Sequence, residues 1–218
     1  MILAELVQRI VRQSLRQMRV SMPAVVVAYD AGRSMAQVQI VQPELEPDGT
    51  LTEQPVIAEV PVSWPRAGGA HLTFPLARGD TGMVVFADRD IAGWVSENDR
   101  SAPDSDRMHG ITDAVFVPGI QGGGVASNET DVELSYAGAL IRINPEGEVS
   151  VVAPSVTVTA ESVTIAATTE HNGNISVTGD LDVSGAITGG TITQGGVQLG
   201  THVHGGVTTG GGSTGGPI

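Results

Sequence analysis

The chain has seven aromatic residues, and the last of them in sequence, Tyr136, stands well before the end of its 218 positions. Beyond it the apolar residues are Val, Ile, Leu and Ala. Cysteine is absent throughout, so no disulfide framework or thiolate metal site can stand in for a core. A segment this poor in large side chains cannot fill an ordinary globular interior, whose density depends on interlocking bulky groups. It suits narrow, repetitive packing against copies of itself.

The repeats in that half agree. Ser155-Val-Thr-Val-Thr-Ala returns seven residues later as Ser162-Val-Thr-Ile-Ala-Ala. Asn174-Ile-Ser-Val-Thr-Gly, Asp180-Leu-Asp-Val-Ser-Gly and Ala186-Ile-Thr-Gly-Gly then advance by about six residues a step, a period that marks a β-helix or β-prism. Each unit alternates β-branched or Leu with Thr, Ser or Asp, giving one dry and one wet face. One ribbon alone would expose its apolar face and its strand edges, whereas three intertwined copies bury both. Some eight to ten strand layers at about 4.8 Å would make a shaft roughly 40–50 Å long. Of the 36 residues after Asp182, 13 are Gly and none is Asp, Glu, Lys or Arg. Small side chains let three backbones converge, so the shaft is expected to taper.

The first half reads differently. Leu3, Leu6, Val7, Ile10, Val11, Leu15 and Met18 recur at helical spacing with Arg9, Arg12, Arg16 and Arg19 largely between them, which predicts an amphipathic helix ended by Ser21-Met22-Pro23. Such a helix could dock on a partner ring, on a symmetry axis or on its own domain. Short strands are predicted at 24–29, 37–41, 56–62, 71–74, 82–87 and 114–117, with turns at Asp30-Ala-Gly, Pro47-Asp-Gly, Ala67-Gly-Gly and Arg78-Gly-Asp. Their number fits a small OB-type barrel, with 88–113 as a long charged excursion before the last strand. The Arg78-Gly79-Asp80 triplet is read as a turn rather than an adhesion motif. Gly119-Ile-Gln-Gly-Gly-Gly124 is a hinge by composition.

The expected fold is mainly β. It comprises an N-terminal helix (1–22), an OB-like barrel (23–118), a Gly-rich hinge leading into the shaft (119–138), a trimeric intertwined β-helix or β-prism (139–200) and an apex (201–218).

That apex holds the one His-x-His pair in the sequence. On an extended backbone His202 and His204 share a face. Taken alone, such a pair in a glycine-rich tail is more readily a solvated coincidence than half a metal site. No carboxylate follows Asp182, so nearby sequence cannot complete the ligand set. Three chains on a three-fold axis could, presenting six imidazole nitrogens in the octahedral number that metals such as iron accept. His71, His109 and His171 are scattered and read as surface or structural.

A net charge of −13, with all eleven basic residues Arg, argues against a nucleic-acid surface, which needs clustered positive charge. The strand faces lack the basic-aromatic interleaving of single-strand grooves. No apolar run reaches the roughly 18 residues of a membrane span, and no signal-peptide layout is present. A metalloenzyme would need an open coordination position with an acid or base nearby, so no enzyme activity and no small-molecule substrate are expected.

Two stretches carry a family resemblance that covers most of the chain. One is Leu76-Ala-Arg-Gly-Asp-Thr-Gly-Met-Val-Val-Phe-Ala-Asp-Arg-Asp-Ile-Ala-Gly-Trp94. The other is Leu199-Gly-Thr-His-Val-His-Gly-Gly-Val207 with Ser213-Thr-Gly-Gly-Pro217. Together they resemble the central spike of contractile-tail bacteriophages, the membrane-piercing trimer of the baseplate assembly protein V type. The resemblance implies a homotrimer in the virion tail baseplate, held by tail tube or baseplate hub proteins. It further implies one iron ion per trimer on His202 and His204 of each chain, and transient penetration of the host outer membrane when the sheath contracts. The excursion at 88–113 departs from the simplest members and could contact neighbouring baseplate proteins. The nearest rival is a trimeric phage fibre or receptor-binding adhesin with a β-helical shaft.

Overall fold

The computed structural model describes residues 3–46, 48–98, 100, 102–124, 127–201 and 210. It divides into two compact units, Met1–Pro154 and Ser155–Ile218.

Helix α1 runs Leu3–Gln17. It ends short of the Ser21-Met22-Pro23 stop because the chain turns extended earlier, and Pro23 lies within strand β1 (Ser21–Asp30) opposite Met83. Near the start of a strand a missing N–H costs the ladder little. Strand β2 (Met35–Ile40) returns antiparallel, the short hairpin β3 (Glu44–Leu45) and β4 (Leu51–Thr52) follows, and β5 (Val56–Pro61) pairs with β2. A two-residue turn at Gly68 and Gly69, both at positive φ, joins β6 (Arg66–Ala67) to β7 (Ala70–His71). The expected strand at 71–74 shrinks to this fragment. Pro75 has no N–H to extend the ladder, and Phe74 instead meets Trp64 edge-on at 5.8 Å.

Strand β8 (Thr81–Phe86), helix α2 (Ala92–Glu97) and β9 (Ala114–Pro118) complete the barrel region. The sheet order is β5-β2-β1-β8-β9. Bulges in β1–β2 and β2–β5 add the twist that curls the sheet. Its two outer strands approach at a parallel bridge between Val62 and Phe116, where the Ser63 amide donates to the Phe116 carbonyl at 2.8 Å. This is the partly open five-stranded arrangement that the strand count suggests.

The core is the inward set of these strands: Ala24, Val26, Ala36, Val38, Ile40, Ile57, Val60, Val84, Phe86, Ala114 and Phe116, with Val62 and Trp64. The Arg78-Gly79-Asp80 triplet is a turn, as expected. The Asp80 carboxylate accepts from the Ala77 amide at 2.7 Å, and the Asp80 carbonyl accepts from Val26.

After the barrel, β10 (Val132–Tyr136), β11 (Ala139–Ile143) and β12 (Val149–Val152) form a separate antiparallel sheet. Ala137 and Gly138, both at positive φ, make its first turn. Asn144 closes the second, its side chain accepting from the Glu148 amide at 2.8 Å.

In the second unit the expected shaft strands are not formed within one chain. Residues 155–192 carry no helix or strand, and among the described residues of this unit only β13 (Thr193–Gln194) and β14 (Val197–Gln198) pair, around Gly195 and Gly196. A strand needs a ladder partner, and at a six- to seven-residue period one chain does not fold back to supply it.

Close packing in the barrel gives a direct test. A Cβ on Gly82 would collide with the Val117 carbonyl and come within 2.7 Å of the Phe116 ring. Gly82→Ala should therefore destabilise the barrel by about 1–3 kcal/mol, read as a lower melting midpoint in denaturant with an unchanged slope.

Candidate functional site

The feature of the second unit that calls for an explanation is its apolar face. Val156, Val158, Val163, Ile165, Ile175, Val177, Leu181, Val183, Ile187 and Ile192 are 38–71% exposed. Single exposed apolar residues are ordinary, but a periodic series of ten marks a surface that something covers. Thr, Ser and Asp occupy the alternate positions in the repeats, so the array is one-sided in sequence.

The array leads into the β13–β14 hairpin, where the Leu199 amide donates to the Ile192 carbonyl at 2.9 Å and the Thr201 amide faces the Gln198 carbonyl at 3.5 Å. His202 and His204 come next and lie outside the described residues. The other three histidines are not brought together. His71 ends β7, His109 sits 3.3 Å from Asp88 in the excursion, and His171 contacts the Asn174 carbonyl at 3.1 Å. Among the described residues no group of three or more His, Cys, Asp or Glu side chains could hold a metal ion, and no helix is long and apolar enough to cross a membrane.

The excursion at 88–113 is organised by a clasp. Asp113 and Asp90 are 1% and 7% exposed and bracket it in sequence. Arg107 reaches back to both. Its Nε and Nη2 donate to the two Asp113 oxygens at 3.2 Å each, and Nη2 lies 2.9 Å from Asp90 Oδ1. Asp113 Oδ1 also accepts from the Ile91 amide at 3.2 Å, and Asp90 accepts from the Ser105 hydroxyl and the Ala92 amide at 2.6 and 3.0 Å. A loop of mostly polar residues is thereby tied to the ends of β8 and β9. Sequence reading found the excursion but not the clasp; the available signal was an acid at each end with two Arg, Arg100 and Arg107, between them and few apolar anchors.

Residues 22–119 match the model of the family described as phage protein Gp138 N-terminal domain. The match covers less than half of the chain and begins one residue into β1, ending one residue after β9, so it coincides with the barrel and its excursion. It supports a bacteriophage structural protein and a place in the virion. No curated protein matches the chain.

The clasp yields two expectations. The Ser105 hydroxyl and the Ala92 amide, with the Arg107 charge beyond them, hold the Asp90 carboxyl below its ordinary pKa. Its contribution to stability is therefore complete above the usual carboxylate range and is lost as pH falls through the lowered value. The melting-temperature gap between the parent chain and Asp90→Asn should be open at pH 7 and close toward pH 2. Arg107→Ala leaves Asp113 buried without its partner and should lower the melting temperature by at least about 5 °C. Arg107→Lys should recover only part of this, because a lysine cannot reproduce the two-pronged contact.

Proposed function

We propose that this chain is the central spike of a contractile phage tail or tail-like particle. It acts as a homotrimer that caps the tail tube and is driven through the host outer membrane when the sheath contracts. The observation that carries the reading is the run from Val156 to Ile192, apolar at alternate positions in each repeat, exposed and without strand partners in a single chain. Three copies offer each ribbon the ladder and the cover that it lacks. The barrel's likeness to a phage domain supports the setting, with tail tube or baseplate hub proteins as its partners.

The tip follows from its donors. His202 and His204 of three chains would hold one iron ion, and the donor set fits that role. It is six neutral imidazoles, with no carboxylate after Asp182 to compete. When bound, the ion would supply a cross-link between the three chains at His202 and His204. The charge-free stretch after Asp182 lowers the desolvation cost of entering a headgroup layer. The work is mechanical, and the reading requires no catalytic residue.

The parent chain should carry one iron per three chains by elemental mass spectrometry. The His202→Ala/His204→Ala chain should carry essentially none. Full iron retention in that variant, or a metal-free parent purified without chelator, contradicts the assigned ligands.

A further inference from the structure

The sheet β10–β11–β12 has two unlike faces. Its register places Val132 opposite Ile143, Leu134 opposite Ile141 and Tyr136 opposite Ala139, with Ile141 in turn opposite Val151 and Ile143 opposite Val149. Directly paired residues share a face, so these eight side chains line one side with no polar residue in any of the three strands. All but Ala139 are 42–71% exposed. The reverse face mixes Glu133, Ser135, Arg142 and Ser150 with two apolar residues, Leu140 and Val152. Its charges are satisfied locally, Arg142 lying 3.0 Å from Glu133 and 3.2 Å from Asp131.

We infer that the apolar face of this sheet is the seam through which copies of the chain assemble, and that it, not the histidine pair, decides whether they do. The inference takes the number of copies, three, from the proposed function. Its occupant is a second copy of the same surface for three reasons. The face has no charge with which to select an unlike partner, whereas interfaces between unlike proteins carry a polar rim. The exposed area of the seven side chains is roughly 700 Å² per chain, close to the ~800 Å² that each partner contributes to a standard stable interface. The outer edges of β10 and β12 are unpaired in the sheet, and an edge of this kind is completed by another strand.

The histidines are at a disadvantage for the first step. A single chain offers two imidazoles, and the full ligand set exists only after three chain ends are held together. Assembly at the sheet raises the effective concentration of those ends and makes the later closure intramolecular. The order of events is therefore sheet first and tip last.

The test uses the full chain, with native mass spectrometry and sedimentation at micromolar concentration. The parent and the His202→Ala/His204→Ala chain should both be trimers. Ile141→Glu places a carboxylate in the middle of the seam on every copy, and should raise the concentration needed for assembly by at least about a hundredfold. Ser150→Glu, on the reverse face beside Arg142, should remain trimeric. Near-UV circular dichroism from Trp64 and Trp94 checks that the barrel stays folded in each. Because the chain has no cysteine, Ile141→Cys gives an independent reading: mild oxidation should link copies within the trimer, and Ser150→Cys should not link.

An Ile141→Glu chain that stays trimeric, with Ile141→Cys unlinked, overturns the seam but leaves the spike reading standing. That is also the outcome if the face awaits a different protein. A histidine variant that falls apart overturns the order of assembly. A monomeric parent removes both this inference and the proposed function.

Discussion

Alternating apolar side chains must be covered on their dry face, and from Val132 to Ile192 this chain leaves them exposed. The hydrophobic effect scales with area removed from water, and under the proposed function that area leaves water only on assembly. The same constraint explains the residue choice. β-branched side chains with Thr and Ser keep each strand flat and repetitive, and the absence of aromatics after Tyr136 lets chains approach closely without needing a shape-matched pocket.

The barrel obeys the opposite rule. It closes on its own core, with Phe116 fully buried across the space that Gly82 leaves open and Val62 bridging the two outer strands. A loop that cannot contribute apolar anchors is fastened by the Asp90–Arg107–Asp113 clasp. Such a module keeps a fixed surface that does not depend on the residues beyond it. Charge is segregated along the same line, with four arginines in the first twenty residues and none of either sign after Asp182.

The barrel was legible in the sequence because its strands are short runs rich in Val and other apolar residues and its turns carry Asp-Gly and Gly-Gly signals. The strand expected at 71–74 was lost to Pro75 and to the Trp64–Phe74 contact, neither of which periodicity can weigh. The clasp was invisible because Asp90, Arg107 and Asp113 become neighbours only through the path of an irregular loop. From Val156 to Ile192 the repeat revealed the pattern of faces but not a partner for them, and the single chain supplies none. The β10–β12 sheet stood between the two cases. Its last two strands alternate around the turn Asn144-Pro-Glu-Gly, a pattern that periodicity can weigh, while β10 falls in the 119–138 segment whose glycines read as hinge.

The proposed function requires that residues 155–192 find their strand partners in other copies of the chain. Sedimentation equilibrium of the intact chain tests it most directly. Three copies of the 22.4 kDa chain predict a single species of about 67 kDa that does not dissociate on dilution through the micromolar range. A species of one chain mass at those concentrations, with the barrel folded, would contradict it.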